Sequence, residues 1–575
     1  MNFTHAPHAW GSSQRRDGVD GTEALDVGPM EDTDVLIIGG GPVGLTVALE
    51  LARFDVRAIL VNDGAKTALH PKANAISARS MEHFRRHGVG PMLRASALPT
   101  DHPTDVCYVT RLNGRELSRL RMPSSADAVA EAKAGTSHYD CAEPPHRCSQ
   151  IYLEAILQEA AFARPGLDIR FGHRLEHFER RDGRVLAVIR DLDADATYDV
   201  TAKHMVGADG GRSAVRRGLG ITYEGEAGVQ RRMMGGSMMA TLFETPDRDP
   251  WLKIPRAWQY WVVAADLRAL LMTVDGAEKF VMLTRIPDDT NPDDIDDLAL
   301  LARAAGRPVD ATIILRQPWT AGHALLAKSY GVDGIWLVGD AVHLFTPTGG
   351  LGMNTGVDDA ANLGWKLAGD VQGWGGANLL ASYEADRKPA GARNLAFARG
   401  FAESIGTFEV NPCVDDDTPE GEAERARLSA HLTRHSRGEM IIPGIALGVR
   451  YEGSALVTPD GTPPVPDDAY DYVATARPGH RAPHVWLENG DALCDRFADG
   501  FTLLRTNTSA DASGLLDAAA EVGLPLALLD IDEPAVAARY EVPLVLIFPD
   551  GHVAWRGDAT SAGPKAVIDR ARGAA

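Results

Sequence analysis

At 575 residues, with 45% hydrophobic and 24% charged residues, the chain is too long for one ordinary core and fits two or three globular domains. Its formal net charge of -21 argues against a surface that tracks phosphates, because a polyanion is held by clustered Lys and Arg that release its counterions. No run approaches the roughly 20 apolar residues needed to cross a bilayer, so neither nucleic acid nor a membrane is an expected partner.

Residues 1–30 lack an apolar signal-peptide core and read as a polar, disordered tail. From residue 34, "DVLII" reads as a buried parallel strand, "GGGPVG" as a turn, "LTVALELARF" as a helix and "VRAILVN" as the next strand, which completes a βαβ unit. Ser77 is the expected N-cap of a helix that stops at Gly88, and residues 149–163 form an amphipathic helix. Short strands follow over 167–200. The stretch 221–320, aliphatic and Met-rich in patches between acidic loops, suggests an inserted antiparallel sheet, and "GIWLVGD" marks the return of the first unit within 321–456. Residues 457–483, dense in Pro, Asp and Gly, read as a linker or extended wrap. The segment 484–575 alternates strand and helix in a thioredoxin-like order. The expected class is therefore α/β: a Rossmann-type domain over 31–220 and 321–456, an antiparallel β-sheet domain over 221–320, and a C-terminal thioredoxin-like domain. Five cysteines without C-x-x-C spacing suggest neither zinc nor a disulfide framework, and a reducing, cytoplasmic setting is expected.

Gly39, Gly41 and Gly44, with Pro42 and Val43 between them, fit G-x-G-x-x-G between a strand and a helix. The first glycine permits the tight turn, the second lets a pyrophosphate approach the backbone, and the third lets helix and strand pack closely, so a dinucleotide is expected there. The ribose partner is irregular. Asn62 stands 23 residues after Gly39, where an acid that accepts both ribose hydroxyls is expected, and Asp63 follows it, so either residue is a candidate. Two later stretches repeat the strand-then-acid pattern: "VGADGGRSAVRRGLG" places Asp209 after a strand, and "GIWLVGDAVHLFTPTGGLGMNTG" places Asp340 after another, with a helix starting near Gly352.

With these three motifs in this order, the chain resembles the single-component flavoprotein aromatic monooxygenases of the para-hydroxybenzoate hydroxylase fold, especially the phenol hydroxylase and polyketide or rifampicin hydroxylase branch. The resemblance runs from about Asp34 to Arg556. It implies that the fingerprint holds the pyrophosphate of FAD, that Lys72 and Arg79 lie near the flavin, and that Gln150 runs along the cofactor. It also implies contact of Asp209 with FAD and NAD(P)H, of Asp340 with the ribityl chain, and of Pro347, Gly350, Leu351, Gly352, Met353 and Asn354 with the flavin ring; Leu175 joins the same cofactor set. A helix N-terminus with free N–H groups suits the negative charge of a reduced flavin, and glycines let the backbone approach a flat ring.

The implied reaction uses NADH or NADPH to reduce FAD, forms a C4a-hydroperoxyflavin with O2, and hydroxylates a small aromatic substrate such as a phenol, hydroxypyridine or polyketide. Tyr260 is the candidate to reach a substrate hydroxyl, against the alternative of a buried, satisfied tyrosine; strand alternation puts Trp258 and Tyr260 on one face and Trp261 on the other. His343 reads as a packed structural residue. A ring-opening or Baeyer–Villiger variant and a non-catalytic flavin binder stay open as alternatives. With a single G-x-G-x-x-G, the nicotinamide cofactor is expected to dock transiently. Without C-x-x-C, the thioredoxin-like part is expected to serve structure or homo-oligomer formation rather than redox exchange.

Overall fold

The computed structural model describes residues 30–70, 72–248, 250–558 and 563–575, so the expected N-terminal tail lies, apart from Met30, outside the described residues. The first sheet is built around β1 (Glu31–Ile38), followed by helix α1 (Pro42–Ala52) and strand β2 (Ala58–Asn62), which pairs parallel to β1 from Val35↔Ala58 to Ile38↔Val61. Val35, Leu36 and Ile37 have no exposed surface, as a continuous apolar run between two covered faces requires. On the other edge of β1 lies the strand Ala196–Gly207, and beside its end runs Ile335–Leu337, also parallel. A strand entering from nearly 130 residues later thus closes the sheet at the place where the fingerprint turn sits.

The helix Leu351–Gln372 crosses α1 at close range, and its glycines make this possible. A Cβ on Gly356 would lie 2.7 Å from the Val43 side chain, and one on Gly364 would lie 2.5 Å from Cβ of Glu50. Helix α2 (Ala78–Arg86) starts at Ser77, whose hydroxyl accepts the Ser80 N–H, and packs beside the same long helix.

A second sheet of seven strands runs in the order 312–321, 236–244, 279–285, 268–273, 259–263, 106–109, 116–120. Its last two strands come from the part of the chain expected in the first domain. "VCYV" at 106–109 reads locally as any short buried strand; its parallel pairing with Gln259–Val263 is a long-range choice that no local pattern encodes. Conversely, Tyr223–Glu226, expected in the middle domain, pairs with Ala324–Ala327 in a separate three-stranded sheet. One row across the large sheet, Ala240, Leu283, Leu270 and Trp261, faces the first domain. The adjacent row, Thr241, Met282, Leu271 and Tyr260, faces away, and Met282, Leu271 and Tyr260 belong to the core formed with helix Asp297–Ala305.

The C-terminal domain has four strands in the order 526–530, 501–505, 544–547, 553–557, with helices Ser513–Glu521, Pro534–Tyr540 and Pro564–Ala571. It docks on α2 and the long helix: Trp365 stacks on Phe548 at 5.5 Å, and Arg481 forms a buried ion pair with Glu82. Among the described residues no helix is long and apolar enough to cross a membrane.

Candidate functional site

A single cavity of about 700 Å³ extends from the fingerprint turn to the inner face of the large sheet. At its first end Gly39 has φ +111°, and a Cβ there would meet the Ala208 carbonyl oxygen at 2.3 Å. A Cβ on Gly44 would lie 2.0 Å from the Gly39 oxygen, whereas one on Gly41 would meet nothing within 4 Å. The outer two glycines let strand and helix close on each other, and the middle one leaves open space on the cavity wall beside Pro42 and Val43. The first N–H groups of α1 have no side-chain cap, which is the arrangement that binds a phosphate.

Asn62 lines the cavity with its side chain turned back on the loop: Oδ1 accepts the Gly40 N–H at 2.9 Å and Nδ2 donates to the Gly64 carbonyl at 3.1 Å. Asp63 is exposed and does not line the cavity, so of the two ribose candidates Asn62 is the one on the wall. Lys72 and Gln150 also line it; the Gln150 amide donates to Glu154 at 2.5 Å, and its N–H donates to the Ala73 carbonyl at 2.7 Å.

At the far end Asp340 lies on the wall. The surrounding protein raises its carboxyl above the usual range, opposed by His343 and Lys72. Pro347, Gly350, Leu351, Gly352, Met353 and Asn354 follow along the same wall. Gly349 and Gly350 take φ of +75° and +63°, which turns the chain sharply into the long helix, and its N-terminus again has no side-chain cap. Asn354 ties this helix to the strip before α2: its Oδ1 accepts the Ser77 N–H at 2.8 Å and its Nδ2 donates to the Ala75 carbonyl at 3.0 Å. His343 is fully buried 2.7 Å from Asp359, which also holds Arg387 at 2.9 Å.

Two uncapped helix N-termini, about 300 residues apart in sequence, therefore open on one elongated cavity. The fit is to a long ligand with a bisphosphate at one end and an electron-rich ring at the other, which describes FAD. The chain from residue 32 to 398 matches the FAD binding domain family, and residues 475–575 match the aromatic-ring hydroxylase C-terminal family.

The chain belongs to the FAD-dependent aromatic-ring hydroxylases.

It is 30% identical over 556 residues to aklavinone 12-hydroxylase RdmE of Streptomyces purpurascens, covering 92% of this chain and 96% of that one. Among solved structures it superposes on RebC with bound 7-carboxy-K252c at TM-score 0.86 and 35% identity, covering 95% of this chain and all of that one. The flavin-dependent monooxygenase PieE in complex with FAD and substrate gives 0.82 and 30%, covering 95% and 99%.

Four residues expected at the hydroxylase's site stand elsewhere, besides Asp63. Arg79 points from α2 toward the C-terminal domain, donating to the Asp550 carbonyl there, and pairs with Glu82 of α2 at 3.1 Å and Asp358 of the long helix at 3.6 Å. Leu175 lies in the hairpin strand His173–Arg181 and packs on the core. Asp209 sits one step behind the wall formed by Ala208 and Gly210; it caps the short helix 214–218 by accepting the Ala214 and Val215 N–H groups at 2.7 and 3.1 Å, and burial raises its carboxyl. Tyr260 is on the outer face of the sheet, its hydroxyl accepting the Ala257 N–H at 2.7 Å and pushed up to about 12 by burial. Trp258 lies before the strand begins and lines the cavity together with Trp261, so the alternation counted from Trp258 is off by one residue.

Other wall residues carry no motif. Arg147 and Tyr139 enter from the segment before helix Gln150–Phe162, and Glu439 enters from the last turn of helix Pro419–Met440. Glu439 Oε1 accepts the Gly349 N–H at 2.8 Å, and its Oε2 lies 3.0 Å from Nε2 of buried His435 but out of hydrogen-bond alignment. The only trace in sequence is a His and a Glu four residues apart at a helix end, a spacing too common to single out.

Proposed function

We propose that the hydroxylase inserts one oxygen atom of O2 into the ring of a phenol-like or polyketide aromatic, with NADH or NADPH as reductant that docks transiently. The balance is ArH + O2 + NAD(P)H + H⁺ giving ArOH + H2O + NAD(P)⁺. The observation that carries the reading is the continuity of the cavity from two uncapped helix N-termini to an apolar sheet face with Trp258, Trp261, Leu270 and Leu283. Flavin, when bound, takes the hydride and activates the oxygen.

The chain's own contribution is binding, orientation and proton handling. The α1 N-terminus and Gly41 hold the pyrophosphate, with Asn62, Lys72, Gln150 and Asp340 along the rest of the cofactor. The N–H groups of Leu351 to Asn354 favour negative charge on the ring edge beside them. The sheet face takes the substrate ring by apolar burial and excludes water from the reacting atoms. An ionised hydroxyl makes the substrate ring more nucleophilic, and the Glu439 carboxylate, which lines the cavity with its Oε2 buried beside His435, accepts that proton. This role replaces the one expected of Tyr260.

The test is a panel of phenols and polycyclic hydroxyaromatics incubated with the FAD-loaded protein, reduced nicotinamide and ¹⁸O2. The expected outcome is nicotinamide oxidation that rises with the right aromatic, together with a product carrying one labelled oxygen on the ring. Oxidation indifferent to every aromatic, or label found only in water or peroxide, would count against it.

A further inference from the structure

We infer that Arg147 forms an anion subsite in the cavity and that the substrate is an aromatic carrying a carboxylate. The inference rests on the proposed function and names the substrate class within it.

Three carboxylates line the cavity. Glu154 is engaged by the Ala68 N–H at 2.6 Å and by the Gln150 amide, and Glu439 by the Gly349 N–H. Asp340, the third, feels Lys72 and His343. None of them, nor any other carboxylate of the described residues, lies within ion-pair distance of Arg147; the polar contact of its guanidinium is the thioether of Met122 at 3.9 Å. Arg387, buried beside Asp358 and Asp359, and Arg481, buried against Glu82, have such a counter-charge where Arg147 has none. An ion removed from water without a counter-ion is costly, and burial accordingly lowers the proton affinity of Arg147 despite the fields of Tyr139 and Glu439.

Geometry then limits what can answer the charge. The guanidinium carbon sits 4.4 Å from the centroid of the Trp258 ring. That contact holds the guanidinium against the ring and leaves N–H groups for an acceptor from the cavity, such as the two oxygens of a carboxylate. Trp258 belongs to the sheet side of the cavity, at the opposite end from the fingerprint glycines, so the cofactor's phosphates are not the partner.

The experiment uses the full-length FAD-loaded protein and two probes of the same shape, anthraquinone-2-carboxylate and anthraquinone-2-carboxamide, with binding followed by perturbation of the flavin absorbance. The wild type is expected to bind the carboxylate about 10-fold or more tightly than the amide, the scale of a charge-assisted hydrogen-bonded pair. Arg147→Gln is expected to bring the two within about 2-fold at unchanged FAD content, and Arg147→Lys to retain part of the preference because it keeps a point charge without the fork. Equal affinity on the wild type, binding of neither probe, survival of the preference in Arg147→Gln, or loss of FAD from that variant would each overturn the subsite. Failure of the subsite alone leaves aromatic-stimulated nicotinamide oxidation intact, whereas failure of the proposed function abolishes that stimulation with every phenol.

Discussion

Glu439 reaches the cavity from a helix that carries no recognisable motif, and both of its oxygens matter for different reasons. Oε1 holds the Gly349 N–H in the turn that leads into the long helix, and Oε2 faces His435 without an aligned hydrogen bond. Glu439→Gln separates the two functions, because an amide oxygen still accepts from Gly349 whereas a neutral amide takes no proton. The expected outcome is a flavin content and melting temperature near those of the wild type, with hydroxylation slowed by about 10²-fold or more, the ordinary size of a lost general base. Substrates whose hydroxyl ionises unaided at the assay pH are expected to lose much less. A uniform loss across phenols of different acidity, measured as kcat against substrate pKa, would remove Glu439 from proton transfer. Tyr260 makes the contrast: it is an aromatic hydroxyl in the right strand, but its row faces the outer core, and Tyr260→Phe should leave turnover essentially unchanged.

The two helix N-termini of the site were legible at the scale of elements because glycine spacing records backbone geometry. Gly39, Gly41 and Gly44 each meet a distinct demand, and two of them can be set against each other. In Gly44→Ala the new Cβ would fall 2.0 Å from a backbone oxygen that cannot move without opening the sheet, so loss of FAD and of folded yield is expected together. In Gly41→Ala the Cβ enters open space on the wall, so the apoprotein should melt as the wild type does while FAD affinity drops by about 10-fold or more through a displaced phosphate. Differential scanning with and without added FAD checks both; an apoprotein of Gly41→Ala that is itself unstable would contradict the assignment. What could not be read was pairing between distant segments. Val106–Val109 joins the large sheet because Gln259–Val263 offers it a parallel edge, and Arg79 turns away from the cavity because Glu82, Asp358 of the long helix and the Asp550 carbonyl of the C-terminal domain hold it. Neither fact has a local periodic signature. The order of strands and helices in the C-terminal domain did have one, since each element is bounded by Gly, Pro or Asp turns.

Taken as a whole molecule, the C-terminal domain is joined to the catalytic core through the elements that frame the cofactor cavity. Cys494 there has no partner cysteine among the described residues, and burial pushes its thiol up to about 12, so it supplies no thiolate for exchange. The domain instead grips α2 and the long helix: Arg85 pairs with Asp495 at 2.6 Å, and the Asp550 carboxylate accepts from Asn362 and Tyr451 at 3.1 and 2.9 Å. Arg481 and Arg79 converge on Glu82. Burial alone would raise the Glu82 carboxyl, but these two guanidinia outweigh it and hold the group at about 2. A carboxyl depressed in the folded state stabilises fully above its unfolded value of about 4.3 and ceases to do so as pH falls toward the folded value. The docking of the two domains should therefore weaken between about pH 4 and pH 2, read as a change in tryptophan fluorescence, since Trp365 and Trp374 pack against Phe501 at this interface. Glu82→Gln makes the assignment specific. At pH 7 it leaves two buried guanidinia short of a counter-charge and should cost about 3–5 kcal/mol, whereas at low pH the wild-type carboxyl is itself neutral and the gap between the two proteins should close. Equal melting temperatures at pH 7, or a gap that widens with acid, would show that Glu82 does not hold the domains together.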